Sequence, residues 1–333
     1  MSRLLTALAL VLTLLTAPAE ALTVTDQTGR RIVLPELPAR IISLVPSVTE
    51  ILFSIGAQDR LVGVTDFCDY PAEARRKPRV GGMLAPSLEG MVSLKPDLVV
   101  ATTAGNRQET FEQLERLKIP VYVVNPVTVA DVLDLVTRLG RLADRGDAAD
   151  RAVAALRERM QAVAARVEGR PRPRVLYVLW PDPLIVPGRA SLVSELIALA
   201  GGDSVTADRG QGYPRYSLEA ALARNPEVII LASHGSEKSP LMRDKWERFT
   251  QVPAIAAGRL HTIDGNLTHR YGPRIVDGLE RLARLIHPET FDRIGPDSPS
   301  PIEPAPAYLV PMTMSESCRS AAAARPAAAS GGC

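Results

Sequence analysis

The residues best suited to chemistry are aromatic rings and polar groups in the segments that follow predicted strands. Aromatic residues make up only 4% of the chain. The rings in these segments are those of Tyr70, Trp180, Tyr213 and Tyr271. The polar groups beside them include those of Asn106, Asn266 and Arg270. Ligands of open α/β sheets bind at the carboxyl ends of strands, and such a set suits a bulky, partly apolar ligand. We expect Asp66 and Asp69 to cap turns.

Short motifs of common catalytic and phosphate-binding sites are missing from the sequence. It contains no Gly-rich phosphate loop, no HExxH and no GxSxG. Its histidines are scattered, which disfavours a three-histidine metal site. They are His234, His261, His269 and His287. We therefore expect a protein that is not an enzyme and that holds no metal or cofactor. An exported hydrolase, with a nucleophile, a base and an acid that meet only in the fold, is the alternative.

Residues 1–21 have the pattern of a secretory signal peptide. Arg3 precedes an apolar run from Leu4 to Thr16, and Ala19-Glu20-Ala21 supplies small residues at the cleavage positions. The run is short for a membrane span, and no Cys follows it to carry a lipid. We predict cleavage near Ala21 and a periplasmic protein that is not inserted in the membrane.

The composition is that of a globular protein with no affinity for nucleic acid, and we expect a monomer. Hydrophobic residues make up 46% of the chain, and 39 basic against 37 acidic residues leave a net charge of +2, which gives no basic footprint. Residues 294–333 are rich in Pro, Ala and Ser and are predicted to be disordered. Cys68 lies in the folded part, whereas Cys318 and Cys333 lie in this tail, so no disulfide framework is indicated.

Strand and helix patterns alternate along most of the chain. Helices are predicted at Thr49–Ile55, Phe111–Leu117, Leu192–Ala200 and Ser217–Arg224. The predicted strands are short β-branched runs at Ile41–Val45, Leu61–Val64, Leu98–Ala101, Val121–Val124, Val175–Leu179, Val228–Ala232 and Leu260–Ile263. Such alternation predicts an α/β fold with parallel sheets.

A long helix divides this α/β pattern into halves. Residues Asp147–Val167 are rich in Ala, Arg and Glu and carry a helical apolar repeat, which ends before Arg170-Pro171. We predict two Rossmann-like lobes, 22–138 and 171–293, joined by a long helix within 139–170. A helix packed inside one large domain is the alternative.

An internal repeat supports two similarly built lobes. Ser87-Leu88-Glu89 and Ser217-Leu218-Glu219 are each followed, after the same spacing, by a proline, an acid and an apolar strand. Each Ser can cap a helix, and each Glu lies in the first turn, where the helix dipole favours a negative charge.

The motifs also resemble a known family. The segment from Arg40 to Glu50, Asp69-Tyr70-Pro71, the repeated S-L-E block and Arg270–Ile275 resemble periplasmic binding proteins with a helical backbone, and most of all their cobalamin-binding branch. The likeness covers about residues 33–288. It implies two lobes with a ligand between them, small opening motions, no catalysis and delivery to the permease dimer of an ABC importer.

The resemblance assigns roles to individual residues. It places Pro46 and Tyr70 against a corrin from the first lobe, and Arg270 matches an arginine of the family. Tyr213 and Asn266 stand where a tryptophan and an aspartate occur. Glu89 and Glu219 match the acids that form salt bridges to permease arginines.

The sequence departs from the pattern at two places. Gly81-Gly82-Met83-Leu84 stands where the cobalamin-binding branch has a tryptophan, which brings Met83 to that place. Trp180 stands where that branch has no aromatic residue. We therefore predict a corrinoid-binding protein. Haem, which needs an axial Tyr or His, and an anionic ferric siderophore, which needs cleft arginines, are the alternative ligands.

Overall fold

The computed structural model describes residues 21–233 and 240–291. The predictions for the signal peptide, the tail, Cys318, Cys333 and His234 fall outside these residues. The chain begins with an antiparallel hairpin, β1 (Leu22–Thr25) and β2 (Arg31–Leu34). A backbone hydrogen bond from Gln27 N to Val123 O joins the hairpin turn to the first lobe.

The first lobe is a parallel four-stranded sheet with helices between its strands. The sheet order is β4-β3-β5-β6. The strands are β3 (Ile41–Ser43), β4 (Leu61–Val64), β5 (Leu98–Thr102) and β6 (Val121–Val124). The helices are α1 (Pro46–Ser54), α2 (Leu88–Ser93), α3 (Gln108–Arg116) and α4 (Val129–Leu142). Helix α1 begins three residues before the predicted start, because Pro46 fits the first helical turn.

A second parallel four-stranded sheet repeats the same topology. Its order is β10-β7-β11-β12, so in both lobes the strands lie in the order second, first, third, fourth. Its strands are β7 (Arg174–Val178), β10 (Asp203–Ser204), β11 (Val228–Ser233) and β12 (Leu260–Asp264). A small hairpin between β7 and β10 consists of β8 (Trp180–Pro181) and β9 (Leu184–Ile185).

The connection between the sheets is helix α5 (Gly146–Val167). Residues 139–142 were predicted to belong to the connecting segment, but they lie in α4. Helices α4 and α5 are separated by a turn in which Asp144 adopts a left-handed conformation with φ 54°. The exact limits of the lobes stay a prediction. The helices of the second lobe are α6 (Leu192–Leu199), α7 (Leu218–Leu222), α8 (Pro240–Glu247), α9 (Pro253–Ala256), α10 (Asn266–His269), α11 (Ile275–Ile286) and α12 (Pro288–Phe291).

One hydrophobic core runs through both lobes and the inner face of α5. It includes Val48 of α1, Val136 of α4, Leu156 of α5, Leu196 of α6 and Leu279 of α11. Arg159 of α5 forms ion pairs with Asp277 and Glu280 of α11. The predicted fold class, two Rossmann-like lobes with a helical backbone, is confirmed. In the part of the chain that the structure describes, no helix combines the length and apolarity that a membrane crossing requires.

Candidate ligand-binding cleft

The lobes meet where the amino end of α1 faces the segment between α10 and α11. At Gly272, any Cβ would lie 3.3 Å from both Cα and Cβ of Ser47. A side chain at 272 would therefore be tight against Ser47, which would have to shift slightly. Pro46, the first residue of α1, is buried beside this contact.

A buried ion pair crosses from one lobe to the other at this contact. Glu50 of α1 has a side chain that is 2% exposed. It accepts hydrogen bonds from Arg274 Nε to Oε2 at 2.9 Å and from Arg274 Nη2 to Oε1 at 2.6 Å. Such a bidentate, charge-assisted pair fixes the guanidinium in one orientation. It therefore holds α1 of the first lobe to the start of α11.

Arg270 lies between two carboxylates of the first lobe. Its Nη1 is 2.6 Å from Asp69 Oδ1 and 3.3 Å from Glu50 Oε1. Burial alone would raise the pKa of Asp69, but the hydrogen bond and the charge of Arg270 together hold this pKa below its ordinary value. Asp69 was expected to cap a turn; its carboxylate instead forms an ion pair between the lobes.

Tyr70 is half-buried beneath the same cluster. The guanidinium carbon of Arg274 lies 3.9 Å from the centroid of the Tyr70 ring, a cation–π contact. Burial raises the pKa of Tyr70 above its ordinary value. A cavity of about 90 Å³ borders Tyr70, Arg274, Leu156, Arg159 and Asp277. One face of the predicted contact ring is thus covered by protein.

The second lobe contributes a cluster of tyrosines around His269. The Tyr177 hydroxyl lies 2.7 Å from Thr268 Oγ1 and 3.0 Å from His269 Nε2. The hydroxyls of Tyr213 and Tyr271 lie 3.4 Å apart, and the Tyr213 ring meets His269 edge-on at 6.4 Å. Burial, reinforced by the neighbouring Tyr271, raises the pKa of Tyr213 well above its ordinary value.

Two of the predicted contacts in the first lobe, Met83 and Asn106, are hydrogen-bonded to each other. Asn106 Nδ2 donates to the Met83 carbonyl at 2.8 Å, and Asn106 Oδ1 accepts from Thr102 N at 2.8 Å. The Met83 side chain packs against Gly105, where a Cβ would lie 2.7 Å from Met83 Cε. Asn106 is only 7% exposed, so its side chain mainly fixes the backbone that presents Met83.

The remaining predicted site residues lie on separate elements of the second lobe. Trp180 in β8 is 38% exposed, and its Nε1 donates to the Asp182 carbonyl at 3.0 Å. Asn266 is half-buried at the first turn of α10, where its backbone N–H donates to Asp264 at 2.9 Å.

Glu89 and Glu219, the predicted docking acids, are exposed in the first turns of α2 and α7. The Glu219 carboxylate accepts a hydrogen bond from Ser217 Oγ at 2.7 Å, and this bond lowers the pKa of Glu219. In the described first lobe, Ser87 Oγ is bonded to Gly90 N and not to Glu89, so the two acids differ in their local support.

Two members of the interlobe cluster, Tyr70 and Arg270, are among the predicted ligand contacts, whereas Glu50 and Arg274 are not. A signal for both existed. Glu50 is a lone acid in the largely apolar sequence of α1, and Arg274 follows Arg270 by four residues. A carboxylate in an apolar helix indicates a buried partner.

The sequence is similar to those of known periplasmic binding proteins. The family model of periplasmic binding proteins matches residues 41–267. The vitamin B12-binding protein of Salmonella typhimurium is 31% identical over 247 residues, which cover 74% of this chain and 90% of that protein.

Two solved structures are similar to this fold. The periplasmic vitamin B12-binding protein of Vibrio cholerae is 28% identical, with a TM-score of 0.66 over 75% of this chain and 97% of that one. The periplasmic haem-binding protein RhuT from Roseiflexus sp. RS-1 is 26% identical, with a TM-score of 0.67 over 75% of this chain and 98% of that one. The chain belongs to the periplasmic binding protein family, and its fold is that of the helical-backbone class.

Proposed function

We propose that this protein captures cobalamin, or a related corrinoid, between its lobes and delivers it to the permease of an ABC importer. The predicted contacts are Pro46, Tyr70, Met83, Asn106, Trp180, Tyr213, Asn266 and Arg270. The proposal extends the family membership, which supports a solute-binding protein of the B12, haem or siderophore type that is exported to the periplasm. The relatives are named as binding proteins, which supports a role without catalysis.

The charge balance of the cleft is the observation that carries the choice of ligand. Arg270 and Arg274 face Glu50 and Asp69, so this cluster has as many negative as positive groups. An anionic ferric siderophore needs uncompensated cations. A corrinoid is a large ring surrounded by amide groups, which need hydrogen-bond partners and apolar surface rather than counter-charges.

Haem is the second candidate, because Tyr213, Tyr271 and His269 lie together in the second lobe. A tyrosine binds ferric haem as a phenolate, and burial raises the pKa of Tyr213, which disfavours that form. His269 Nε2 already contacts the Tyr177 hydroxyl at 3.0 Å. Both facts weigh against haem and favour the neutral macrocycle.

The ligand is tested by titrating the mature protein in parallel with cyanocobalamin, haem and a ferric siderophore. Fluorescence quenching is a suitable signal, since Trp180 is 38% exposed whereas Trp246 is only 4% exposed. We expect one corrinoid site, and Trp180→Phe should remove most of the signal change. Micromolar haem binding without corrinoid binding would contradict the proposal that the ligand is a corrinoid. It would not affect the assignment to the periplasmic binding protein family.

We further propose that Glu89 and Glu219 dock the two lobes onto the permease. Both acids are exposed, and each follows a serine N-cap at the same spacing. Changing both to Ala should abolish uptake through the importer, while corrinoid affinity and melting temperature stay nearly unchanged. Single changes should give intermediate losses, and Arg-to-Glu changes on the permease with acid-to-Arg changes here should restore part of the transport.

The control for docking is Glu112→Ala, which removes an exposed acid of α3. Its uptake should equal that of the unmodified protein. If the double variant of the docking acids transports normally, or loses ligand affinity as far as transport, the docking role is wrong.

A further inference from the structure

The two carboxylates that balance the cleft arginines are held very differently. Glu50 is 2% exposed and bonds Arg274 through both of its oxygens, at 2.9 and 2.6 Å. The Asp69 side chain is 46% exposed and contacts Arg270 through Oδ1 alone, at 2.6 Å. Glu50 is therefore part of the packed contact between the lobes, whereas Asp69 lies at the edge of that contact and reaches solvent.

Arg270 depends mainly on Asp69 for its counter-charge. Its other carboxylate contact, to Glu50 Oε1, is longer at 3.3 Å, and Arg274 already uses that oxygen and its twin. The Arg270 side chain is 17% exposed, so part of it reaches solvent. Without the Asp69 charge, the cluster would have one positive charge in excess, and that charge would belong to an accessible guanidinium.

We propose that Asp69 determines ligand specificity: its carboxylate cancels Arg270 and so excludes anionic ligands from the cleft in favour of neutral ones. The inference rests on the proposed function, since it names the residue that selects a neutral corrinoid. Discrimination by an unfavourable charge is a general route to specificity. Like charges in a partly desolvated site repel strongly. The repulsion between an anionic ligand and the Asp69 carboxylate therefore offsets the attraction of that ligand to Arg270.

The chain offers a matched control for the charge of Asp69. Asp66 lies three residues earlier in the same segment and is exposed, and its backbone N–H is bonded to Gly81 O. Asp66→Asn removes the same charge from the same loop and leaves the Asp69–Arg270 pair in place. Any difference between the two variants therefore reports the contact with Arg270.

The experiment measures the affinity of the mature full chain for cyanocobalamin and for its monocarboxylic acid, in which one side-chain amide is hydrolysed. The unmodified protein should prefer the neutral form. Asp69→Asn should shift the affinity ratio towards the carboxylate by about tenfold at low salt, and the shift should shrink at high salt. Asp66→Asn should leave the ratio within about twofold of the unmodified protein.

A second variant keeps the test informative. Asp69→Asn combined with Arg270→Gln should lose the gained preference for the carboxylate, because the uncompensated charge is gone. If Asp69→Asn leaves the ratio unchanged, or if Asp66→Asn shifts it equally, Asp69 is not the determinant. Circular dichroism shows whether each variant is folded, and should Asp69→Asn alone fail to fold, Asp69→Ser replaces it.

The failure of the proposed function would look different. In that case the unmodified protein binds neither corrinoid, and iron(III) tris-catecholate serves as the anionic probe. Asp69→Asn should then bind this probe about tenfold more tightly than the unmodified protein and Asp66→Asn do. Equal affinity in all three proteins would overturn the role of Asp69 independently of the corrinoid result.

Discussion

Both lobes arrange their strands in the order second, first, third, fourth, yet they bring opposite charges to the contact between them. The first lobe contributes the carboxylates of Glu50 and Asp69, and the second contributes the guanidiniums of Arg270 and Arg274. The repeated strand order of the lobes therefore does not determine the charges at their interface. The scaffold is nearly symmetric, whereas the charged surface that holds the lobes together is not.

Removing the buried acid of this asymmetric contact should lower the stability of the protein more than any other change considered below. Glu50→Gln leaves the Arg274 guanidinium, only 14% exposed, without its counter-charge. Breaking one partner of a buried ion pair costs about 3–5 kcal/mol, so the free energy of unfolding should fall by about that amount. Urea unfolding followed by circular dichroism measures the loss.

A double-mutant cycle with Arg274→Gln completes that experiment. If the pair couples the lobes, the double variant should be more stable than the sum of the two single losses predicts. Additive losses would show that Glu50 and Arg274 stabilise their own lobes separately. The comparison between an acidic and a basic face would then carry no energetic meaning.

The sequence predicted the scaffold better than the contact, for a physical reason. All seven predicted strands are present, because a buried parallel strand is a local run of β-branched residues that ends at a turn. The pairing of Glu50 with Arg274 joins residues 224 positions apart. It depends on how two lobes face each other, which no local pattern encodes.

The site was predicted in part for the same reason. Tyr70 and Arg270 were found through post-strand position and the family motif, and both lie in the interlobe cluster. Asn106 follows β5, as predicted, but its side-chain amide is bonded to Met83 O and Thr102 N. Whether a polar side chain is free for a ligand depends on its neighbours in space rather than on its own residue type.

One tyrosine ring from each lobe is predicted to contribute to corrinoid affinity. Tyr70 of the first lobe has a face covered by Arg274, whereas Tyr213 of the second lobe lies beside Tyr271 and His269. Tyr70→Ala and Tyr213→Ala should each weaken corrinoid binding by about 1–3 kcal/mol, since each removes buried aromatic contact area. Isothermal titration of the mature protein measures both affinities.

Phenylalanine variants separate ring contact from the hydroxyl. Tyr70→Phe and Tyr213→Phe should retain most of the affinity, since the aromatic faces remain. If only one of the two Ala variants binds more weakly, the ligand rests mainly on that lobe, and the comparison becomes one between a binding lobe and a supporting lobe.

A smaller effect tests the symmetry of the scaffold. Ser87 Oγ accepts a hydrogen bond from Gly90 N at 3.0 Å, and Ser217 Oγ accepts one from Ala220 N at 3.2 Å. Replacing either Ser by Ala should cost about 1 kcal/mol of stability, with a slightly larger loss at Ser217, whose hydroxyl also donates to Glu219 at 2.7 Å. Urea unfolding measures the free energy of unfolding of both variants. If the two losses differ by more than about 1 kcal/mol, the two caps are not equivalent.

The smallest effect is the pH dependence of the Asp69–Arg270 pair. Burial would raise the pKa of Asp69, but Arg270 lowers it below the ordinary value of 3.8. A carboxyl with a depressed pKa in the folded state adds stability above its unfolded pKa. That stability is lost as pH falls through the folded pKa.

At neutral pH, the free energy of unfolding of the unmodified protein should therefore exceed that of Asp69→Asn. The difference should be less than about 1 kcal/mol, because the pair is partly exposed. This gap should close below pH ~4, while Asp66→Asn should show no comparable gap. A gap that stayed constant down to pH ~2 would mean that Asp69 stabilises the contact through its shape rather than its charge.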